Sequence, residues 1–421
     1  MAKFIIKGQK PLKGDIKVGG AKNLALKVIP ATVLTSESVI VSNLPRIEDI
    51  DKSLQMFSEL GFSFEKKGSS IIFSARRPKT TDLPAKLADK FRTSIMFVGP
   101  LLARFKEVRF PHPGGCVIGA GGRPIDLFLD GFSALGAEIK IEDRFYFIKA
   151  KKLKGCDFFF PKISVTGTES LMMTACLAEG KTVLRNCAME PEIKCLADFL
   201  NSCGAKISGA GTSTITIIGV KKIKGGTIKI IPDRIETGSF AIMAAATNSE
   251  ITIKNCNPEH VSILLAVFKK IGVNFDIGRN WIKIKKSSSL KPYNIQTHEY
   301  PGFPTDLQSP YAVLMTQAKG ASLIHETIYD RRLIWTDMLS QMGASIVMCD
   351  PHRVVITGPS KLYGKKLISP DIRAGIGLVI AALIAKGRTE IDNIYQIDRG
   401  YEKLDERLRK LGADIIRVDN N

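Results

Sequence analysis

Six times along the chain, an apolar helix end runs into a glycine and then into a short alternating strand. The copies read FSELGFSFE at 57–65, FSALGAEIK at 132–140, LNSCGAKIS at 200–208, FKKIGVNFD at 268–276, LSQMGASIV at 339–347 and LRKLGADII at 408–416. Their glycines, Gly61, Gly136, Gly204, Gly272, Gly343 and Gly412, lie 68 to 75 residues apart. An internal repeat constrains a fold strongly, because each copy must be one supersecondary unit that stacks on its neighbours. Glycine suits the left-handed position that ends a helix, and period-two alternation after it predicts a strand with one buried face.

A second pattern interleaves with the first. TSESVIVSNL at 35–44, AEGKTVLRNC at 178–187, NSEITIKNC at 248–256, AKGASLIHET at 318–327 and AKGRTEIDNI at 385–394 read as turn-then-strand, and RFKEVRFP at 104–111 is a looser sixth copy. Each follows an unusually apolar segment: 22–34, 91–103, 164–178, 234–247, 305–318 and 372–386. A helix that is apolar on every side is a buried one. Each repeat of roughly 70 residues therefore predicts one buried helix, one amphipathic helix and several strands. Six repeats in 421 residues suggest two domains of three. The expected fold is α/β, with the buried helices inside each domain and the sheets outside. The glycine stretches VGGAKN at 18–23 and GGTIKIIPDR at 225–234 are the expected crossings. The first domain then spans 22–231, and the second spans 1–21 with 232–421. The N-terminal strand is expected to complete the third repeat of that second domain.

The first turns of the six buried segments carry Lys22 and Asn23, Arg92, Lys162 to Val165, Asp233 and Arg234, Asp306, and Asp371 with Arg373. Helix N-termini attract anions through free N–H groups and a partial positive charge. If the helices are equivalent, facing domains aim these groups at one cleft, suited to a ligand with several phosphate or carboxylate groups. Taken singly, each carboxylate is as readily a helix cap. The net charge of +20 favours anionic ligands. The lysines are spread over the whole length and aromatics make up only 7%, so a base-stacking nucleic-acid surface is not expected. The longest apolar run, Gly375 to Ala385, is too short to span a bilayer. Eight cysteines form no CxxC pair and only five histidines are present, which argues against a zinc site and a disulfide framework. A soluble, cytoplasmic chain with reduced, mostly core cysteines is expected.

One cysteine stands apart. HPGGCVIGAGGRP, His112 to Pro124, places Cys116 among five glycines, where a thiol can hardly pack.

With that loop, GAKNLAL, FRTSIMFVGPLLARF, PGGCVIGAGGRPIDL, PDRIETGSF, FPTDLQSPY, DIRAG and YQIDRGYEKLDERLRKLGADI follow one another in a family order. The chain resembles, over essentially its whole length, the UDP-N-acetylglucosamine enolpyruvyl transferase family. The resemblance implies an inside-out α/β barrel of two threefold domains, as the repeats do independently. It implies transfer of the enolpyruvyl group of phosphoenolpyruvate to the 3-hydroxyl of UDP-N-acetylglucosamine with release of phosphate. That reaction is the first committed step of peptidoglycan synthesis, and so bears on cell wall, cell shape and division. It also implies a general acid at Cys116, alkylated by fosfomycin, and a base at Asp306. Lys22, Arg123 and Arg399 would hold phosphoenolpyruvate, and Asn23 would hydrogen-bond the reacting groups. Arg92, Arg123, Pro124, Ile125, Asp126, Leu127, Lys162, Ile163, Ser164, Val165, Asp306 and Ile328 would line the nucleotide-sugar site, with Asp371 and Arg373 beside it. No metal or other cofactor is implied, and a monomer is expected.

The chain departs from the family pattern in three places. IGAGGRP is two residues longer than the usual IGARP, and Phe128 and Gln396 stand where histidine is usual. The rivals are transfer to shikimate 3-phosphate, a non-catalytic anion-binding paralogue, and loose nucleic-acid binding driven by charge. Cys116 and RPIDL resemble the UDP-sugar enzyme rather than the first of these.

Overall fold

The six predicted helix stops are left-handed glycines: φ is +90° at Gly61, +88° at Gly136, +96° at Gly204, +85° at Gly272, +104° at Gly343 and +99° at Gly412. A side chain at these positions meets its own carbonyl, which is why glycine recurs there. Six amphipathic helices end at these glycines or one to two residues earlier: Glu48–Glu59, Asp126–Ala134, Pro191–Ser202, Ser262–Ile271, Thr336–Gln341 and Leu404–Lys410. After each glycine a strand begins: Ser63–Lys67, Glu138–Glu142, Lys206–Ser208, Phe275–Ile277, Ser345–Asp350 and Asp414–Val418. The structure is a computed structural model and describes residues 2–89, 91–112, 114 and 125–419. Cys116, Arg123 and Pro124 lie outside the described residues.

The described residues divide into two units, one running from Gly20 to Ile231 and the other joining the N-terminal stretch up to Gly19 to Pro232 and beyond. In the first unit the inner helices are Lys22–Ala31, Val98–Phe105 (entered through the 3-10 turn Arg92–Phe97) and Val165–Ala175. In the second they are Arg234–Ala246, Gln308–Met315 (entered through Thr305–Leu307) and Ile372–Ile384. Every residue of Arg234–Ala246 is buried. Each large apolar side chain so enclosed contributes about 1.5–3 kcal/mol, so these helices are held by their surroundings on all sides. They approach closely where a side chain is missing. A methyl group on Gly99 would stand 3.0 Å from the Ser170 carbonyl of the next inner helix, and one on Gly238 would overlap Leu307.

Around the helices stand three sheets per unit. In the first unit they are Gly226–Lys229, Val39–Ser42, Ser70–Ser74, Ser63–Lys67; then Glu107–Pro111, Phe145–Lys149, Glu138–Glu142; then Lys206–Ser208, Thr214–Ile218, Lys181–Arg185, Asp157–Phe159. In the second they are Phe275–Ile277, Trp281–Ile284, Glu250–Lys254, Lys13–Lys17; then Ile295–Gln296, Gly320–His325, Arg353–Gly358, Ser345–Asp350; then Lys366–Ile368, Arg388–Asp392, Lys3–Lys7, Asp414–Val418. Five sheets carry one parallel edge strand beside an antiparallel trio. In the three-stranded sheet that edge shrinks to a single parallel bridge, Asp82 with Arg109. Strands such as Thr214–Ile218 alternate buried and partly exposed residues, so one face packs inward and the other looks out. This is the inside-out α/β architecture, with helices inside and sheets outside.

One expectation needs correction. The N-terminal stretch is two strands rather than one. Lys3–Lys7 completes the third repeat of its unit, pairing with Arg388–Asp392 and Asp414–Val418. Lys13–Lys17 instead pairs in parallel with Glu250–Lys254 and completes the first repeat. Gln9, left-handed at φ +63°, lies in the connection between the two strands, and the hydropathy of so short a stretch cannot assign its partners. Most of the described cysteines are enclosed, as expected. Cys176, Cys187, Cys203 and Cys256 are buried and Cys156 and Cys195 half-buried, but Cys349 is exposed. Burial pushes the Cys176 thiol up to about 12, which leaves it unreactive. No described helix is long and apolar enough to cross a membrane.

Candidate functional site

The inner-helix starts carry most of the residues singled out in the sequence, and the two units hold separate groups of them. In the unit from Gly20 to Ile231, Lys22 opens the first inner helix and is buried. Its ammonium meets Asp49 Oδ2 at 2.7 Å. Asp49 lies in the first turn of Glu48–Glu59, where a carboxylate also complements the helix dipole. Asn23, beside Lys22, is half-buried, and so is Arg92 at the start of its 3-10 turn. At the third inner helix Ser164 is the N-cap, its hydroxyl accepting from Gly167 N at 3.1 Å. Ile163 and Val165 are half-buried and Lys162 is exposed. Two predicted segments come together here, because a methyl on Gly167 would stand 2.9 Å from Leu127 Cδ2. Ile125 is buried and Asp126 exposed, and Phe128 is packed into the core.

The unit containing Pro232 onward holds a tighter constellation. Asp306 sits in the turn Thr305–Leu307 and caps nothing. Its Oδ1 accepts from Arg332 at 2.9 Å and its Oδ2 meets Arg373 at 2.7 Å. The Arg332 side chain is 3% exposed, that of Arg373 10% and that of Asp306 25%. Burial alone would push the Asp306 carboxyl up, but the two guanidiniums outweigh it and hold the group well below the usual carboxylate range. Arg373 is correspondingly pushed up, burial opposing and Asp306 overcoming it. Asp371 and Asp233, by contrast, are caps. Asp371 Oδ1 accepts from Arg373 N at 2.6 Å and Ala374 N at 3.0 Å, and Asp233 Oδ1 accepts from Ile235 N and Glu236 N. The plain capping account thus holds for these two carboxylates and fails for Asp306.

Ile328 is half-buried, with its N–H donated to Glu326 Oε1 at 2.9 Å. Arg399 is half-buried and donates to Gln396 Oε1 at 3.0 Å, so the residue standing in a usual histidine position orients one of the predicted phosphoenolpyruvate ligands. Sequence reasoning passed over Asp49, Arg332, Thr305 and Glu326. Arg332 lies in a turn with no periodicity to mark it. Glu326 did carry a signal, since it replaces an asparagine that four of the repeats share.

Two arginines around one carboxylate in one unit, and a buried lysine–aspartate pair in the other, are each suited to chemistry on multiply charged anions. Comparison with known proteins agrees. The family model described as EPSP synthase (3-phosphoshikimate 1-carboxyvinyltransferase) matches residues 6–408. A Carboxydothermus hydrogenoformans protein named UDP-N-acetylglucosamine 1-carboxyvinyltransferase 1 is 45% identical, covering 100% of this chain and 99% of its own length. A Koribacter versatilis protein named UDP-N-acetylglucosamine 1-carboxyvinyltransferase is 43% identical, covering 99% and 97%. Among solved structures, the enolpyruvyl transferase NikO from Streptomyces tendae superposes with a TM-score of 0.90 at 22% identity, covering 100% of this chain and 99% of its own. EPSP synthase from Acinetobacter baumannii gives 0.76 at 20%, covering 100% of both. At such identities these structures speak to the fold.

Proposed function

The chain belongs to the EPSP synthase family, among its UDP-N-acetylglucosamine 1-carboxyvinyltransferases, and we infer that it transfers the enolpyruvyl group of phosphoenolpyruvate to the 3-hydroxyl of UDP-N-acetylglucosamine. The full-length likeness to proteins of that name carries this reading. The sugar oxygen adds to C2 of phosphoenolpyruvate while a proton is delivered to C3. The tetrahedral adduct then loses a proton from the C3 methyl together with its phosphate, leaving an enol ether. Acid and base exchange roles between the two steps.

In this reading Cys116, in the glycine-rich stretch 112–124, is the acid. Lys22, Arg123 and Arg399 hold the phosphate and carboxylate, and Asn23 hydrogen-bonds the reacting groups. Arg92, Pro124 to Leu127, Lys162 to Val165 and Ile328 line the nucleotide-sugar site. Asp306 receives the hydroxyl proton. Two guanidiniums keep it in its accepting form throughout the physiological range, but they also lower its basicity. It becomes an effective base as Arg332 or Arg373 turns part of its charge to the incoming anions. Asp371 holds Arg373 in place from the backbone side. The product feeds peptidoglycan synthesis in the cytoplasm, with the enzyme acting as a monomer.

The test is phosphate release from phosphoenolpyruvate with UDP-N-acetylglucosamine or shikimate 3-phosphate as acceptor, for wild type and Cys116→Ser. Release with the UDP-sugar alone, sharply lowered in the variant, is expected, together with a fosfomycin adduct on the Cys116 peptide. Release with shikimate 3-phosphate alone would move the acceptor to that sugar, and release with neither would overturn the reading.

A further inference from the structure

The residue that follows the central strand of each repeat is Asn43, His112, Asn186, Asn255, Glu326 and Asn393 in turn. The four asparagines do one structural job. Each has a left-handed backbone, with φ of +60°, +58°, +57° and +58°. Each donates its amide to a backbone carbonyl at or just beyond the parallel edge strand: Asn43 to Ile230, Asn186 to Phe160 and Asn255 to Val18 at 2.8 Å, and Asn393 to Ser369 at 2.9 Å. The side chain thereby replaces the ladder bond that the turn breaks.

Glu326 stands at this position and does something else. It is fully buried. Its Oε1 accepts from the N–H groups of Ile328 at 2.9 Å and Tyr329 at 3.1 Å. Its Oε2 accepts from the Thr305 hydroxyl at 2.7 Å. With its one proton committed, Thr305 Oγ1 can only accept from Arg332, which it does from Nη1 at 2.7 Å. The other terminal nitrogen of Arg332 holds Asp306 at 2.9 Å. A chain of directed bonds therefore runs from Asp306 through Arg332 and Thr305 to Glu326, and from there to the backbone of the 328–329 turn. Glu326 is not left-handed, and in its repeat the carbonyl just beyond the parallel edge strand, that of Thr297, accepts from the Thr327 hydroxyl instead. The asparagine's bond is thus made by the next residue, and a buried carboxylate, costly unless every donor is in place, answers a demand other than that bond.

We propose that Glu326 is a positioning residue for the transfer reaction: through Thr305 and Arg332 it fixes where the Asp306 carboxylate stands, and through the turn it fixes Ile328. The proposal rests on the reading that Asp306 receives the sugar hydroxyl's proton. Glutamine reverses the central link: with its oxygen kept on the two backbone N–H groups, its amide nitrogen must donate to Thr305 Oγ1, whose own proton then turns away, so Arg332 meets a hydroxyl no longer polarised by a carboxylate. Thr305→Val breaks the same chain at a different link, and Thr305→Ser leaves it whole.

The experiment compares phosphate release by wild type, Glu326→Gln, Thr305→Val, Thr305→Ser and the Glu326→Gln/Thr305→Val double variant, with melting temperatures alongside. The expected result is a fall in kcat of about 100-fold in each broken-chain variant, with KM for phosphoenolpyruvate moved less than about threefold, Thr305→Ser close to wild type, and the double variant no worse than either single one. Losses that multiply in the double variant, or a Glu326→Gln enzyme with wild-type kcat, would overturn the proposal. Its geometric half is read without turnover in the crystal structure of Glu326→Gln, or of Thr305→Val should the first not fold. Arg332 is expected to leave Asp306, and an Arg332–Asp306 contact unchanged at its present distance would sink the proposal. A wild type active only with shikimate 3-phosphate, or inactive, would count against the acceptor or the reaction, while the structures still decide the positioning.

Discussion

Glu169 gives the sharpest quantitative test. It lies on the third inner helix of its unit, fully buried, with Lys27 of the first inner helix 3.2 Å from its Oε2. That contact is an ion pair with poor hydrogen-bond geometry, and among the described residues neither carboxylate oxygen accepts a hydrogen bond. Burial pushes the carboxyl up, Lys27 opposes it, and Glu192 and Glu190 add to the rise, taking it from 4.5 to about 7. A rise of that size corresponds to roughly 3.5 kcal/mol in full, of which about 3 falls between pH 4.5 and 8. The folded value lies above the unfolded one, so the favourable contribution is fully present below about pH 4.5 and is lost as pH rises through about 7. Glu169→Gln isolates this effect, because at pH 4.5 a neutral glutamic acid and a glutamine present much the same group to Lys27. Urea unfolding of both proteins from pH 4.5 to 8 should show the variant gaining roughly 3 kcal/mol on wild type across that range. Hydrogen exchange in the helix Val165–Ala175 localises the effect, since a chain of two units need not unfold in one step. A stability difference that stays constant with pH would refute the reasoning, showing that this carboxyl titrates alike folded and unfolded.

Three further outcomes follow from the geometry. Replacing the Lys27–Glu169 pair by Met and Leu together should leave stability unchanged or raise it, whereas Lys27→Met alone should cost about 3 kcal/mol or more at pH 8, read from the same unfolding curves. Asp306→Asn should lower kcat by about 10²- to 10⁴-fold. Because the Asp306 carboxyl is depressed, its stabilising effect is lost only as pH falls below the ordinary carboxylate range, so the stability gap to wild type should be flat from pH 5 to 8, and a slope there would contradict the assignment. Gly204→Ala meets nothing within 4 Å yet must hold φ at +96°, so thermal unfolding should report a loss of about 1–2 kcal/mol from backbone strain alone.

The repeat made much of this fold readable. A glycine at φ near +90° leaves the same mark wherever it occurs, and six marks fixed six helix ends. Buried helices are legible because all their sides must be apolar. Strand exchange was not legible, since Lys13–Lys17 and Lys3–Lys7 differ in partner rather than in pattern. Within the site, Asp306 and Arg373 were singled out because helix starts recur, and the structure brings them together. Arg332 escaped notice because it reaches Asp306 from a turn that lies outside the repeat's periodic elements. Asp49 escaped because a carboxylate in a helix's first turn is so ordinary that its pairing with Lys22 shows only in three dimensions. Glu326 could have been found, by asking which repeat breaks the asparagine rule.

The strand Lys3–Lys7 runs antiparallel to Asp414–Val418, with Lys3 opposite Val418. Two strands about 400 residues apart in sequence thus share one sheet, which cannot close until both are present. The same adjacency allows the chain to be re-wired. A short linker from Asp419 back to Ala2, with new ends opened between Gly19 and Gly20, would give a circular permutant in which all of 20–231 comes first and the complete second unit follows without interruption. Such a protein would thread between its units once instead of twice, and its second unit could mature during synthesis as one uninterrupted stretch.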